Sequence, residues 1–413
     1  MEPIITSMLD DDLYKFTVQQ AILELFPEAI VEYKFTNRSP ETHKFNQEFL
    51  KELQKQINYM SQIGLTQSEY LWLKNKIPFF KPQYLEFLKN YKYNPEEVKV
   101  SLNKNNDLEI SIKGLWYSTT LWEVKLMAII SEIYFEKVDN QWSNNNVFEE
   151  AKIKGEQLSS TKCIYADFGT RRRRSKKIHK TVLEGLKIGG DNSTLCGTSN
   201  VKFALDMGLK PIGTMSHEFI MGISALLSLR FANRFSMSKW AETYGANLGI
   251  FLTDTFGTNA FLNDFNKYFA MLFQGTRWDS GNWKIYTDKM ISHYKEIGID
   301  PLSKMIIYSD SLNVDKCIEI NNYCKNKIKA SFGVGTFFTN NGFKNSPALN
   351  MVIKMFSCNN IPVVKLSNSP GKVMGDPSAI RVAQWVFNNT PLDKKKKYIG
   401  IETGSFADHL LNG

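Results

Sequence analysis

The sequence LGIFLTD at residues 248–254 is a short apolar run, Leu248–Leu252, that is followed by an aspartate, Asp254. The same arrangement returns in MIIYSD, where the run Met305–Tyr308 leads to Asp310. Short apolar runs that alternate with helix-length stretches are typical of parallel strands in βαβ units. The two runs therefore predict a parallel sheet with polar side chains at the carboxyl ends of its strands.

Six further runs repeat this pattern, each ending in polar or glycine residues. They are Lys162–Ala166 before Asp167, Thr194–Cys196 before Gly197-Thr198-Ser199, Pro211–Met215 before His217, Met271–Thr276 before Arg277 and Asp279, Ala330–Phe332 before Gly333–Thr336, and Pro362–Leu366 before Ser367. In (β/α) barrels and open α/β sheets, functional side chains lie at the carboxyl ends of strands. With six to eight such units, the sequence favours a barrel.

The residues before Gly114 follow a different pattern, which predicts an α+β unit. Val18, Ala21, Ile22 and Leu25 have helical spacing, and residues 31–35 alternate like a half-buried strand. Helices are also predicted near 45–59, 66–74 and 119–134, and a hairpin at 98–101 and 108–112. We therefore predict an N-terminal domain at 1–113, a barrel domain at 114–390 and a C-terminal extension at 391–413 that begins near the basic run Lys394–Lys397.

Composition narrows the class of protein. The 413 residues are 43% hydrophobic and 13% aromatic, which excludes a disordered chain, and the net charge of +9 fits anionic partners. Five scattered cysteines without a CxxC pair fit a reducing compartment, so we expect a cytoplasmic protein. The N-terminus lacks the features of a signal peptide, and no apolar run approaches the roughly 20 residues of a membrane span.

Four consecutive arginines, Arg171–Arg174, follow the predicted strand that ends at Asp167. Arginines in this position can bind phosphate through paired hydrogen bonds. A solvated helix start and a nucleic-acid patch are the alternatives. The chain has no basic stripe with interleaved aromatics and no helix-turn-helix or zinc-finger motif, so we expect no nucleic-acid partner.

Other strand ends carry residues suited to phosphate and sugar chemistry. His217 could be a general base or a phosphate acceptor, oriented by the adjacent Glu218, although a lone histidine is often structural. Asp254, Asp279 and Asp310 could hold Mg²⁺, bind ribose hydroxyls or stabilise an oxocarbenium-like centre, or could simply cap helices. The glycines of SFGVGT at 331–336 could admit a phosphate. Together these residues indicate a site for a phosphorylated sugar donor.

Nine motifs between about residue 6 and about residue 390 occur in the order found in nicotinate phosphoribosyltransferases, which the chain resembles. They are LDDDLYKFT (9–17), VEYKF (31–35), DFGTRRR (167–173), CGTSN (196–200), GTMSHE (213–218), LTDTFGT (252–258), RWDSG (277–281), FGVGT (332–336) and KLSNSPGK (365–372).

The resemblance implies an α/β fold, an irregular (β/α) barrel of the nicotinate/quinolinate phosphoribosyltransferase type with an α+β N-terminal domain. It implies transfer of phosphoribosyl from phosphoribosyl pyrophosphate to nicotinate, which yields nicotinate mononucleotide and pyrophosphate for NAD biosynthesis. It further implies coupling to ATP hydrolysis through a phosphohistidine, a requirement for Mg²⁺, and a homodimer whose active sites are shared between subunits.

The resemblance also assigns roles by matched motif. His217 is the expected phosphorylated residue and is catalytic together with Asp254 and Asp279. Asp279 and Asp310 are the expected magnesium ligands, and the three aspartates also face ribose and diphosphate. The residues expected to bind substrate are Tyr14 (from the partner subunit), Phe168 (stacked on the pyridine ring), Arg171, Thr198, Ser199, Arg277, Asp310, Gly335 and Thr336 (the last two at the 5′-phosphate). The expected phosphate contacts from the partner side are Arg38, Lys354, Lys365 and Lys372.

Ser199 bears on the choice of base. The nicotinamide-using relative has an aspartate at this position, which would repel the carboxylate of nicotinate, whereas a neutral serine tolerates it. We therefore expect nicotinate as the substrate. A nicotinamide or quinolinate phosphoribosyltransferase on the same fold is the alternative, and a nucleic-acid-binding protein is a remote one.

Overall fold

A computed structural model describes residues 1–143, 145–191 and 193–388, whose strands form two sheets. The strands are β1 (Ile30–Asn37), β2 (Val98–Leu102), β3 (Leu108–Leu115), β4 (Tyr165–Asp167), β5 (Leu195–Thr198), β6 (Ile250–Leu252), β7 (Gly275–Trp278), β8 (Met305–Tyr308), β9 (Lys329–Val334), β10 (Met351–Cys358) and β11 (Ile361–Pro362).

The α-helices lie between and around these strands. They are α1 (Leu13–Leu25), α2 (Gln47–Tyr59), α3 (Gln67–Lys76), α4 (Pro82–Asn90), α5 (Trp116–Thr119), α6 (Trp122–Lys137), α7 (Val147–Ser160), α8 (Lys176–Gly189), α9 (Val201–Met207), α10 (His217–Leu226), α11 (Ala232–Tyr244), α12 (Thr258–Asp264), α13 (Lys267–Leu272), α14 (Trp283–Glu296), α15 (Val314–Cys324), α16 (Thr336–Thr339) and α17 (Pro377–Asn388). Short 3-10 turns occur at Met60–Gln62, Pro95–Glu97, Thr170–Arg172, Pro301–Ser303 and Pro370–Lys372.

Six of the eight predicted runs form the parallel sheet, in the order β5-β4-β9-β8-β7-β6. All its strand pairs are parallel, as the alternation of runs and helices predicts. The run predicted at Met271–Thr276 starts late, because Met271 and Leu272 end α13 and β7 begins only at Gly275.

The run Pro211–Met215 is not a strand, and its place in the fold explains why the barrel is irregular. Thr198 of β5 donates its amide to Lys210 and accepts one from Ile212, at 3.1 and 2.9 Å. Thr214 donates its hydroxyl to Ile250 of β6 at 3.0 Å. The segment therefore links the two edges of the parallel sheet, but Pro211 has no N–H for a regular ladder. The barrel fold class is confirmed, with this segment in place of a strand.

The second sheet is antiparallel, in the order β11-β10-β1-β3-β2. It contains the predicted strand β1 and the predicted hairpin β2–β3. β10 pairs with β1, so that Lys34 lies opposite Lys354. The run predicted at Pro362–Leu366 is wrong as a barrel strand, since only β11 forms and it pairs with β10.

The membership of this sheet cuts across the predicted boundary between 1–113 and 114–390, because residues 351–362 complete the N-terminal sheet. The predicted helices near 45–59, 66–74 and 119–134 appear as α2, α3 and α6. The extension predicted at 391–413 lies outside the described residues. Among the described helices, none combines the length and apolar character that crossing a membrane requires.

Buried α6 joins the two units, since it packs against α2, β10 and the turn Thr170–Arg172. The N-terminal segment lies directly on the barrel. Leu13 donates its amide to Ser199 at 2.8 Å, and Val201 donates to Asp11 at 2.9 Å. These bonds place the start of α1 at the carboxyl ends of the parallel strands.

Candidate active site

A cavity of about 580 Å³ opens at the carboxyl ends of the parallel strands. Most of the predicted site residues line it: Tyr14, Arg38, Phe168, Arg171, Ser199, His217, Arg277, Asp279, Asp310, Gly335, Thr336, Lys354, Lys365 and Lys372. Asp254 and Thr198 are absent from the lining. Both lie one layer deeper, where Asp254 bonds His217, which faces the cavity, and Thr198 bonds the buried Asp167.

His217 is the first residue of α10 and is buried in the cavity wall. Its Nε2 lies 2.8 Å from Oδ1 of Asp254 and 3.7 Å from Oδ2 of Asp279. A carboxylate can only accept a hydrogen bond, so Nε2 carries the proton and Nδ1 has the free lone pair. Burial and the neighbouring Lys365 lower the pKa of His217 to about 4, which makes the imidazole neutral and nucleophilic at neutral pH.

Asp254 is the residue that orients this histidine. Its other oxygen, Oδ2, accepts from Ser280 Oγ at 2.6 Å and lies 3.1 Å from Lys365 Nζ. Burial alone would raise the pKa of Asp254, but Lys365 and His217 hold it well below its usual range. The expectation that Glu218 orients His217 is wrong, because Glu218 points away into a buried cluster with Lys15.

The aspartates at the strand ends do not cap the following helices, which excludes that alternative. The N-cap residues are Gly257 for α12, Asn282 for α14 and Asn313 for α15. The carboxylates of Asp279 and Asp310 are left to face the cavity.

Arg277 connects the two ends of the cavity. Its guanidinium donates to Asp279 Oδ1 at 3.1 Å and to Ser309 Oγ at 2.7 Å. It also lies 5.8 Å from the centre of the Phe168 ring. One cationic side chain thus contacts both the aromatic end and the acidic end.

The aromatic end depends on close packing of Phe168 against the glycine segment. A Cβ atom at Gly333 would lie 2.3 Å from the Phe168 ring, and one at Gly335 would lie 3.1 Å from the carbonyl of Phe168. The segment predicted to admit phosphate therefore also seats the aromatic ring.

Tyr14 lines this same cavity within a single chain, together with Arg38, Lys354, Lys365 and Lys372. Their expected delivery from a partner subunit stays a prediction, and in the single chain all five already line the cavity. The N-terminal segment is bonded to β5 and α9 of its own chain, and Lys354 arrives on β10.

The four arginines divide into two pairs. Arg171 and Arg172 line the cavity, and Arg172 also donates to the carbonyl of Met351. Arg173 is fully buried and forms a bidentate pair with Asp10, at 2.7 and 3.0 Å. Arg174 is fully buried, donates to Ser346 and stacks over Phe135 at 3.5 Å. Only Arg171 and Arg172 are available to a ligand. The run of four arginines therefore forms neither a solvated face nor a nucleic-acid patch.

A buried layer that the sequence reasoning missed supports the aromatic end. Asp167 Oδ2 accepts from Thr198 Oγ1 and pairs with His179 Nε2, both at 2.7 Å, and Oδ1 accepts from the amide of Gly169. This explains the place of Thr198 behind the cavity. Asp167 could have been found, since it ends a predicted strand, but nothing local marks His179.

Ser199 has a carboxylate beside it that the sequence reasoning did not anticipate. Its hydroxyl donates to Asp12 Oδ1 at 2.7 Å, and Asp12 also lines the cavity. Burial raises the pKa of Asp12, with Ser199 and Thr170 opposing the rise. The neutral Ser199 thus acts as a hydrogen-bond donor to the buried Asp12 carboxylate.

The acidic end presents a group of carboxylates and an imidazole suited to binding a metal ion. His217, Asp254 and Asp279 each place one ligand atom within 4.8 Å of the others. Asp254 is fully buried, with both oxygens engaged, whereas Asp279 and Asp310 are part-exposed at the cavity. Asp279 already accepts from Arg277 and Ser309, and Lys372 Nζ lies 2.6 Å from Asp310, so Mg²⁺ would compete with these cations. Part-exposed carboxylates beside a phosphate-sized cavity fit Mg²⁺, which is usually held by one or two carboxylates together with substrate phosphates.

Comparisons with known proteins agree with this geometry. A sequence profile described as "Nicotinate phosphoribosyltransferase (NAPRTase) family" matches residues 163–391, and one for the N-terminal domain of that family matches residues 9–131. The chain is 47% identical to nicotinate phosphoribosyltransferase of Methanosarcina mazei, over 95% of this chain and all of that protein. It is 39% identical to the Saccharomyces cerevisiae protein of the same name, over 92% of this chain and 94% of the other.

Solved structures give the same result. The crystal structure of nicotinate phosphoribosyltransferase from Porphyromonas gingivalis matches with a TM-score of 0.90 and 38% identity, covering 93% of this chain and all of the other. That from Vibrio cholerae matches with a TM-score of 0.86 and 32% identity, covering 99% and 97%. With its sequence, its barrel and its cavity in agreement, the chain belongs to the nicotinate phosphoribosyltransferase family.

Proposed function

We propose that this chain transfers phosphoribosyl from phosphoribosyl pyrophosphate to nicotinate, with ATP hydrolysis coupled through phosphorylated His217. The observation that carries the proposal is the buried hydrogen bond between His217 and Asp254. It lies in the wall of a cavity with an aromatic end at Phe168 and cationic side chains at Lys365 and Lys372. Such a cavity suits a flat anionic base at one end and phosphates at the other.

The phosphorylation step uses the free nitrogen of His217. Nδ1 attacks the γ-phosphorus of ATP, the bond from that phosphorus to the bridging oxygen breaks, and ADP leaves with the electron pair. The proton on Nε2 stays hydrogen-bonded to Asp254, whose negative charge offsets the charge that forms on the ring. The phosphoryl group adds a charge of about −1.5 to −2 next to Lys365. Water later cleaves the N–P bond and releases phosphate.

In the transfer step, the pyridine nitrogen forms a bond to C1′ of the ribose as the bond from C1′ to the pyrophosphate oxygen breaks. The pyrophosphate leaves with the electron pair, and the transition state resembles an oxocarbenium ion. Lys365, Lys372 and Arg38 face the cavity and can neutralise the leaving charge. Arg171 and Arg277 can bind the carboxylate of nicotinate while Phe168 stacks on its ring.

Asp279 and Asp310 would hold Mg²⁺ together with the substrate phosphates. When bound there, the ion supplies further neutralisation of the pyrophosphate. Lys365 and Lys372 already lie against these carboxylates, so they keep the acidic end electrically balanced.

The family resemblance also supports a cytoplasmic homodimer with shared sites, and the five cysteines, all of them without a disulfide, fit a reducing compartment. The cavity of the single chain already carries Tyr14 and the four basic residues. Light scattering coupled to gel filtration tests the dimer, and a monomer would refute it.

The deciding experiment is product formation from nicotinate and phosphoribosyl pyrophosphate, with and without ATP. We expect nicotinate mononucleotide in both cases and a higher rate with ATP. The variant His217→Ala should lose this stimulation by ATP. Nicotinamide and quinolinate as competing bases test the alternatives. Preference for either would overturn the assignment of nicotinate, and full ATP stimulation in His217→Ala would overturn the phosphohistidine.

A further inference from the structure

Ser309 lies where Arg277 and Asp279 meet in the cavity wall. Arg277 belongs to β7 and Asp279 directly follows that strand, while Ser309 directly follows the neighbouring strand β8. The parallel pairing of the two strands continues into this turn, because Ser309 donates its amide to the carbonyl of Trp278 at 3.0 Å. The backbone therefore holds Ser309 beside the two charged side chains.

The hydroxyl of Ser309 bonds to both of these side chains. It accepts a hydrogen bond from Nε of Arg277 at 2.7 Å. Its own proton has two acceptors within reach, Oδ1 of Asp279 at 2.9 Å and the carbonyl of Trp278 at 3.1 Å. A guanidinium can only donate and a carboxylate can only accept, whereas a hydroxyl can do both. Ser309 can thus stand between the two charges and satisfy each of them.

This hydroxyl decides how the arginine and the carboxylate pair. Nη2 of Arg277 donates to Oδ1 of Asp279 at 3.1 Å, while Nε is engaged by Ser309. Oδ2 of Asp279 lies instead 3.6 Å from Lys365 Nζ and 3.7 Å from His217 Nε2. Arginine and carboxylate groups frequently pair through two parallel hydrogen bonds. Here the guanidinium does not close on both oxygens, so the pair is open.

A second pair in the same chain shows the closed form. Arg173 donates to both oxygens of Asp10, at 2.7 and 3.0 Å, and both side chains are 0% exposed. Arg277 and Asp279 are 20% and 18% exposed, and both line the cavity. The closed pair thus lies in the interior, whereas the open pair faces the space where a ligand would bind.

We propose that Ser309 is a positioning residue that keeps the Arg277–Asp279 pair open, so that Arg277 is directed at the carboxylate of nicotinate. The inference rests on the proposed function, in which Arg277 binds that carboxylate. The guanidinium lies 5.8 Å from the centre of the Phe168 ring, on which the base would stack. Ser309 acts through Arg277, and it selects for the anionic base by leaving the cation available to it.

The test is the variant Ser309→Ala in the full-length enzyme. Without the hydroxyl, Nε of Arg277 has the free oxygen of Asp279 as its nearest replacement acceptor. We expect the KM for nicotinate to rise about tenfold or more, on the scale of losing a hydrogen bond to a charged group. The KM for phosphoribosyl pyrophosphate should rise less, because Lys365 and Lys372 are available to its phosphates. Ser309→Thr retains the hydroxyl and should keep the KM for nicotinate near the wild-type value.

A matched control is the variant Ser159→Ala. Ser159 is half-buried like Ser309, and its hydroxyl also joins two groups, Thr194 Oγ1 at 2.6 Å and the amide of Asp191 at 2.9 Å. It is absent from the cavity lining. Both alanine variants should unfold near the wild-type temperature, and the control should keep both KM values.

A crystal structure of Ser309→Ala gives the most direct readout, since Arg277 should then contact both oxygens of Asp279. The role of Ser309 would be overturned by retention of the open pair, by a wild-type KM for nicotinate, or by an equal rise in both KM values. Each of these results leaves the transferase activity in place. Absence of nicotinate mononucleotide with the wild type would refute the proposed function, and the crystal structure would still decide whether Ser309 holds the pair open.

Discussion

Nε2 of His217 lies 2.8 Å from Oδ1 of Asp254, although the two residues come from different βα units of the barrel. The hydrogen bond fixes the tautomer of the histidine and leaves Nδ1 as the nucleophile. Asp254→Asn keeps the shape but removes the charge and can reverse the tautomer. We expect this variant to lose His217 phosphorylation by about 100-fold or more, on the scale of other positioned base partners. Phosphate transfer from labelled ATP measures it, and wild-type labelling of the variant would contradict the assignment.

The pH dependence of stability follows from the lowered pKa of His217. The native side chain has a pKa of about 4, against an ordinary value of 6.5, so the unfolded state binds more protons between these values. The contribution of His217 to the free energy of unfolding is therefore intact above pH 6.5 and falls by about 3 kcal/mol as the pH drops towards 4. The variant His217→Gln should lose less stability than the wild type between pH 6.5 and pH 4, as measured by urea unfolding at these two pH values. Parallel losses in the two proteins would argue against a buried neutral imidazole.

The same pKa predicts the pH range of the phosphorylation step. An ordinary histidine would be mostly protonated at pH 5.5, whereas His217 should remain neutral and keep its lone pair. We expect the initial rate of phosphohistidine formation to change less than about twofold between pH 7.5 and pH 5.5, on the assumption of one titrating group. A rate that falls with a midpoint near 6.5 would contradict this prediction.

Neighbouring arginines should give opposite phenotypes. Arg173→Ala removes the buried partner of Asp10, and an orphaned buried charge costs about 3–5 kcal/mol. Thermal unfolding should therefore show a large loss of stability. Arg171→Ala should leave the unfolding temperature nearly unchanged and raise the KM for nicotinate, because Arg171 faces the cavity. The reverse pattern would refute the division of the arginine run.

Ser199 offers a test of base selection. A carboxylate introduced by Ser199→Asp would meet Asp12, whose Oδ1 lies 2.7 Å from the present hydroxyl, and would also repel the substrate anion. We expect the KM for nicotinate to rise by at least about tenfold, which corresponds to about 1.4 kcal/mol. Ser199→Asn is the neutral control and should show a smaller effect. Equal effects of the two variants would point to size rather than charge.

The seating of Phe168 can be tested at Gly333. A methyl group there would lie 2.3 Å from the ring, so Gly333→Ala must displace Phe168. We expect a higher KM for nicotinate with little change in the KM for phosphoribosyl pyrophosphate. A change confined to phosphoribosyl pyrophosphate would assign the ring to another ligand.

The residues at strand ends were predictable because the fold itself brings them together. Asp279, Arg277 and Asp310 follow apolar runs, and parallel strands deliver their carboxyl ends to one face of a barrel. The orienting partner of His217 was not predictable in this way. Glu218 is adjacent in sequence, but on a helix the following side chain points about 100° away, and only the barrel brings Asp254 to the imidazole.

The burial of Arg173 and Arg174 also could not be predicted from the local sequence. Their partners, Asp10 and Ser346, are remote in sequence, and no spacing rule connects them. The same holds for Lys354, which reaches the cavity only because β10 pairs with β1. The sequence pattern reveals which residues end a strand, whereas the pairing of distant segments depends on the assembled core.

That pairing of β1 with β10 has a consequence during synthesis. Tyr33 in β1 pairs with Met355 in β10, which is synthesised much later. At roughly 5–20 residues per second, a ribosome needs on the order of tens of seconds to synthesise the chain between these two residues. Through that interval the nascent β1 presents an open edge of backbone N–H and C=O groups, with apolar side chains beside it. Truncated chains that end before residue 351 lack β10 and should therefore aggregate. During synthesis, the nascent chain should bind chaperones that cover exposed strand edges.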